Sequence, residues 1–182
     1  MRRIERVKMK TNIIANVAIS LDGKIEGPNG EYDWCFTDQD YGMKEFLSRT
    51  QLIISGAKSY QTMVNEGGDL EKFFGKIPWI VFSKNAVQSH PLVTHVHLHA
   101  VDYIRELKNN TPQNIWLFGG ALLFHSLLQA KLIDEIMLSV HPIILGGGKD
   151  FFSNIPNRIH LSLINCKTFH SGLVQQQYQI NY

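Results

Sequence analysis

The sequence predicts a mixed α/β fold: a largely parallel sheet with helices on both faces, ending in an antiparallel pair. Apolar runs of strand length alternate with longer stretches of helical periodicity. That rhythm builds parallel strands joined by helical crossovers. Near the C-terminus the rhythm breaks, where two long runs meet at His170-Ser171-Gly172, a hairpin signal. No repeat, low-complexity tract or linker interrupts the pattern, so one domain over residues 11–182 is expected.

The expected strands are Ile13 to Ile19, Gln51 to Ser55, Trp79 to Phe82, Val93 to His99, Asn114 to Phe118 and Glu135 to Val140. Each is an apolar run of strand length. Between them, Asp38 to Arg49 puts Tyr41, Phe46 and Leu47 on one helical face, and Val101 to Lys108 does so with Ile104 and Leu107. Ala121 to Ala130 is apolar almost all round, as a buried helix is. The closing pair is Ile159 to Phe169 and Leu173 to Tyr182, with Val174, Tyr178, Ile180 and Tyr182 alternating onto one side.

Composition sets the scale and excludes several classes. The chain has 182 residues, 44% hydrophobic and 19% charged, enough apolar side chain to offset the entropy of ordering. Its net charge of +2 is too small for counterion release to drive nucleic-acid binding. Much of that charge stands in Arg2, Arg3, Arg6, Lys8 and Lys10, a basic leader over residues 1–10 expected to be loosely ordered. The leader and the following apolar run resemble a secretory signal. That run holds Asn12 and Asn16 and breaks at Ser20-Leu21-Asp22 without a small-x-small site, so a strand is the better reading. No run reaches the ~20 apolar residues of a membrane helix. Cys35 and Cys166 form no CxxC pair and read as free thiols in a reducing cytoplasm.

In open α/β sheets, ligands bind beyond the carboxyl ends of the strands. Four of the expected ends carry small, polar or cationic residues: Ser20-Leu21-Asp22-Gly23, Ser55-Gly56-Ala57-Lys58-Ser59, Ser83-Lys84 and Gly119-Gly120. The glycine pair opens the helix at Ala121, where free N–H groups and the helix dipole favour a phosphate. Lys58 and Lys84 add cations at neighbouring ends, as a ligand with several phosphates requires. Each feature alone is equally well a tight turn or a solvated loop, and their convergence on one rim is what points to a nucleotide. No GxGxxG is present, nor an acidic residue about twenty positions after Gly119, so a standard NAD-type site is unsupported.

These residues resemble a known family. Ser20-Leu21-Asp22-Gly23-Lys24-Ile25, Asp33-Trp34 after Gly27-Pro28-Asn29-Gly30, and Ser55-Gly56-Ala57-Lys58-Ser59-Tyr60 are similar to motifs of the dihydrofolate reductase-like family, in particular its RibD C-terminal branch. Trp116-Leu117-Phe118-Gly119-Gly120 and the stretch Leu138 to Gly148 extend the likeness, in order, from Thr11 to Tyr182. The resemblance implies a three-layer α/β/α fold with an eight-stranded mixed sheet, NADPH as cofactor, and a homodimer. It implies hydride transfer to a small pterin- or aminopyrimidine-like heterocycle, as in the aminouracil reductases of riboflavin biosynthesis. A dihydrofolate reductase proper, or a nucleotide-binding protein of this fold without turnover, are the alternatives.

Carried over by position, Ala18 and Ile19 would offer backbone contacts to the nicotinamide end, and Gly56, Lys58 and Ser59 would hold the phosphates. Ser83 and Lys84 would meet the adenosine 2′-phosphate, and Gly119, Gly120, Ala121 and Leu122 would line the pyrophosphate. The family's arginine after the second-strand glycine is Ala57 here, its Thr-x-x-x-Asp-x-Pro stretch is not reproduced after Ser59, and a zinc deaminase partner domain is not expected.

The acceptor also needs a proton. Asp40, near Trp34 and Phe36, and Asp22, in the loop after the first strand, are the candidate catalytic acids. Asp38 reads as a helix N-cap and Asp22 equally as a turn residue. Trp34 and Phe36 are the candidate substrate-binding rings, Trp34 stacking on a planar substrate or else covering the core. His95, His97 and His99 alternate along one strand; they suit a solvated face better than a zinc site, and no metal is expected. Lys149, after three glycines, reads as a turn residue or as part of a phosphate rim.

Overall fold

The computed structural model describes residues 11–65, 67, 69–97, 99–110 and 114–182. The leader over residues 1–10 lies outside these. In chain order the strands are β1 (Asn12–Ser20), β2 (Lys24–Glu26), β3 (Leu52–Gly56), β4 (Trp79–Phe82), β5 (Val93–Val96), β6 (Asn114–Gly119), β7 (Glu135–His141), β8 (Lys149–Asp150), β9 (His160–Thr168) and β10 (Val174–Asn181). The helices are α1 (Met43–Ser48), α2 (Ala57–Asn65), α3 (Leu70–Phe74), α4 (Ala100–Asn110) and α5 (Ala121–Gln129). Eight strands form one sheet in the order β5-β4-β3-β6-β1-β7-β10-β9, and β2 and β8 form a separate pair. The six strands from β5 to β7 in that order run parallel. Strands β10 and β9 close the sheet antiparallel, as expected.

The parallel strands are buried on both faces, and their side chains divide by parity. Ile13, Ala15, Leu52, Ile54, Ile80, Phe82, Ile115 and Leu117 join one core with Ile104 of α4 and Leu123, Phe124 and Leu127 of α5. Their neighbours Ile14, Ile53, Trp79, Val81 and Trp116 join another, with Phe46 of α1, Tyr60 of α2 and Phe74 of α3. Helices therefore cover both faces, giving the three layers that the period-two alternation of each strand requires.

An aromatic cluster holds the second core. Phe74 meets Trp79 at 5.2 Å and Phe118 at 5.7 Å between ring centroids, and Trp79 meets Phe118 at 5.1 Å, all edge-on. Such pairs contribute about 0.5–1.5 kcal/mol each beyond the burial of their area. The Trp79 indole N–H donates to Ser55 Oγ at 2.8 Å, so the buried polar edge is satisfied and the start of β4 is tied to the carboxyl end of β3.

Three expectations change. The helix read from Asp38 starts only at Met43, because Gly42 at its N-cap is left-handed (φ 81°) and Tyr41 before it also has positive φ (49°). Asp38 therefore caps nothing; it accepts from the Tyr41 hydroxyl at 2.7 Å, while Asp40 accepts from the Lys44 amide at 3.2 Å. Strand β5 stops at Val96, so the three histidines do not share a strand face. In the C-terminal pair the register slips at Gln177/Tyr178, where Asn165 and Leu163 are successive partners and Ile164 is skipped. Strict alternation along that pair is thereby lost.

Candidate active site

A cleft of about 870 Å³ opens at the carboxyl ends of β3, β4 and β6, between α2, α5 and the β2–β8 pair. Of the positions expected to hold a nucleotide, Ala18, Gly56, Lys58, Ser59, Ser83, Lys84, Gly119, Gly120, Ala121 and Leu122 all line it. Ile19 does not; its side chain is buried in the first core, packed away from the opening.

The glycine pair is built for close approach. A Cβ on Gly119 or Gly120 would come within 3.1 Å of Ser59 Oγ, and Gly119 has φ +147°, which L side chains rarely adopt. The bond joining the two glycines is cis. Beyond them the nine-residue α5 starts, with Gly120 as an N-cap that makes no side-chain hydrogen bond. The first-turn N–H groups of α5 thus meet the cleft with their dipole's positive end.

Lysines frame the same space. Lys58 and Lys149 both approach Glu26 Oε1, at 3.9 Å and 3.6 Å, and all three residues line the cleft. Lys149 thus stands in β8 on the rim. Ser83 and Lys84 mark another stretch, continued by His97 and His99. His95 is fastened below them, its Nε2 3.0 Å from the Ser83 carbonyl and its ring 4.1 Å from that of His97. Among the described residues, no cluster of His, Cys, Asp or Glu could hold a metal ion.

The two expected acids stand outside the lining, which corrects their placement. Asp22 accepts from Ser20 Oγ at 2.6 Å, Leu145 N at 3.1 Å and Gly146 N at 2.9 Å. The Ser20 hydroxyl and these amides hold its carboxyl down to about 2, so it is ionised at neutral pH and has no proton to give. Asp40 is exposed at the start of α1. Trp34 and Phe36 also lie off the cleft. They pack edge-on against the buried His141, with centroids 5.2 Å and 5.0 Å away. The His141 Nδ1–H donates to the Ser139 carbonyl at 3.1 Å, and its Nε2 accepts the Phe36 amide at 3.1 Å. Burial lowers the imidazole's pKa, and the accepting role requires the neutral ring.

Sequence reasoning missed Glu26, Tyr32, Cys35, Thr62 and Met63, which complete the cleft. Glu26 is the one carboxylate among its described lining residues. Burial, then the charge of Asp33, pushes the Cys35 thiol up to about 11, so it is a neutral wall rather than a nucleophile. Only the spacing of Thr62 and Met63 after Lys58 and Ser59, on one helix, could have signalled any of these.

A mostly parallel eight-stranded sheet closed by an antiparallel pair, covered by helices on both faces and opening a cleft at its strand ends, defines a protein of the dihydrofolate reductase-like fold. The chain belongs to the family described as the RibD C-terminal domain, whose model matches residues 72–175, more than half of it. It is 38% identical over 178 residues to the uncharacterized protein YyaP of Bacillus subtilis (strain 168), covering 93% of this chain and 95% of that one. Among solved structures, a Shewanella sp. PV-4 protein superposes with TM-score 0.81 at 23% identity, covering 94% of this chain and 99% of that one. The diaminohydroxyphosphoribosylaminopyrimidine deaminase/5-amino-6-(5-phosphoribosylamino)uracil reductase of Thermotoga maritima gives TM-score 0.70 at 17% identity, over 94% of this chain but 57% of that longer one. Dihydrofolate reductase from Enterococcus faecalis, complexed with NADP(H), gives 0.66 at 17% identity, over 94% and 97% of the two chains. At these identities the structural matches establish the fold.

Proposed function

We propose that the protein is an NADPH-dependent reductase that delivers a hydride to a small pterin- or aminopyrimidine-like heterocycle. The observation that carries this reading is the convergence of ten sequence-expected nucleotide positions on one cleft. Family membership and the Thermotoga maritima reductase among the structural relatives support it.

The residues fit the cofactor. Gly119 and Gly120 leave the space that a Cβ would fill, the first turn of α5 would hold the pyrophosphate, and Lys58 would supply a cation beside it. Ser83 and Lys84 would take the 2′-phosphate, as a hydroxyl and an ammonium at a strand end can. NADPH, when bound, supplies the hydride. The chain's part is to hold the reacting partners in register and keep water out. Apolar Val17, Ala18, Ile25, Met63 and Phe118 form the dry wall that this demands.

A second reading is favoured by the placement of Asp22 and Asp40 outside the lining: nucleotide binding without turnover. Incubation with NADPH and either dihydrofolate or the aminouracil intermediate of riboflavin biosynthesis decides between them. Consumption of NADPH with one of the two is expected. Binding without consumption of NADPH, with these and related heterocycles, would leave only the second reading.

We further propose that the chain pairs with a second copy through β9. All nine residues of that edge strand are exposed, including Leu161, Leu163 and Ile164. An open edge with aliphatic side chains is a template for another strand.

A further inference from the structure

A second cavity lies against the far part of α5 and the ends of β9 and β10, and shares no lining residue with the cleft. Its volume is about 630 Å³, within the range of small-ligand sites. Lys131, Arg158, His125 and His160 line it, and no Asp or Glu side chain does among the described residues. Neither Lys131 nor Arg158 forms an ion pair among those residues. Leu128, Ile155 and the ring of Tyr182 supply an apolar wall.

Lys131 occupies a position where the backbone asks for glycine. Helix α5 ends with Ala130 as its C-cap, followed by Lys131 N donating to Leu128 O at 3.0 Å and Leu132 N to Leu127 O at 2.9 Å. This pair of bonds is the Schellman arrangement, whose left-handed residue is Lys131, at φ 58°. Glycine would adopt that conformation without penalty. The lysine instead sets its Nζ 6.0 Å from the Tyr182 ring centroid, on the cavity wall. Asn154, across the cavity, is also left-handed at φ 53°. Two of the three positive-φ non-glycine residues among those described thus line this one space. Non-glycine residues persist in that region where surrounding structure or use retains them.

We propose that this cavity binds a small organic phosphate, with a phosphoryl group against Lys131 and Arg158 and an aromatic or apolar body against Tyr182, Leu128 and Ile155. A guanidinium fork, a lysine and two imidazoles, with no Asp or Glu side chain in the lining, suit a dianion better than a monoanion. The inference is independent of the reductase reading, because it uses none of the cleft's residues.

Calorimetric titration with phenyl phosphate, benzoate and inorganic phosphate tests it, together with thermal melts of each variant. Phenyl phosphate is expected to bind tightest of the three and to raise Tm. Arg158→Gln should weaken it about tenfold, the loss expected for a hydrogen bond to a charged group. Lys131→Gly should weaken it too, while leaving the unliganded Tm unchanged or higher because the left-handed strain is relieved. Lys84→Ala should leave this binding intact. Failure of phenyl phosphate to bind at millimolar concentration, equal binding of benzoate, or a loss seen in Lys84→Ala and not in Arg158→Gln would overturn the proposal.

Discussion

At the residue scale, His141 shows how a polar side chain inside the fold constrains behaviour. Its neutral ring donates to Ser139 and accepts from Phe36, which holds the segment carrying Trp34 and Phe36 against β7. The folded state lowers its pKa below the ordinary 6.5. The unfolded chain therefore takes up the proton first as pH falls. Stability from this site is complete above about pH 6.5 and is lost as pH drops through the lower folded value. Thermal melts from pH 8 down to pH 5 are expected to show Tm falling on the acid side, with a flatter profile in His141→Gln. Asp22 acts with the same sign in a lower window: its stabilisation is present above its ordinary value of 3.8 and is lost as pH falls through about 2. Asp22 therefore contributes nothing to the pH 5–8 change. Sequence alone marked Asp22 and missed this histidine, because an acid beside a strand end looks like chemistry until the amides of Leu145 and Gly146 are seen to hold it.

At the scale of elements, the long apolar strands and α4 and α5 were legible because each has a period that matches its burial. Helix α2 was not, since Lys58, Ser59, Thr62 and Met63 face the cleft and Tyr60 alone is fully buried. An amphipathic pattern cannot be read where the second face is a binding site rather than a core. Strands β2 and β8, of three and two residues, are too short for any periodicity. Yet they carry Glu26 and Lys149 to the rim. Glu26 offsets Lys58 and Lys149 there, and it competes with any phosphate those lysines would meet. Glu26→Gln is expected to tighten NADPH about two- to fivefold, the range of a partly exposed ion pair. Calorimetric titration checks the sign, and weaker binding would assign Glu26 to the ligand instead.

At the scale of the whole molecule, the location of the cleft follows the rule that sites in open α/β sheets form beyond the carboxyl ends of parallel strands. The glycine pair and the two lysines were legible for that reason. The second cavity was not, because Lys131, Arg158 and Tyr182 come from three separate segments and carry no shared spacing. The edge strand β9 belongs to this scale as well. Sedimentation should show a dimer that Leu163→Lys shifts towards monomer, since a lysine on an edge opposes strand addition. A wild-type monomer at all concentrations would remove the pairing.

In the proposed function the cleft holds NADPH, with Lys84 reading its 2′-phosphate. Calorimetric titration of the wild type and of Lys84→Ala with NADPH and NADH tests it most directly. The expected result is tighter binding of NADPH than NADH in the wild type, and a loss of about tenfold confined to NADPH in the variant. Binding of neither dinucleotide at millimolar concentration, or equal losses for both in Lys84→Ala, would contradict it.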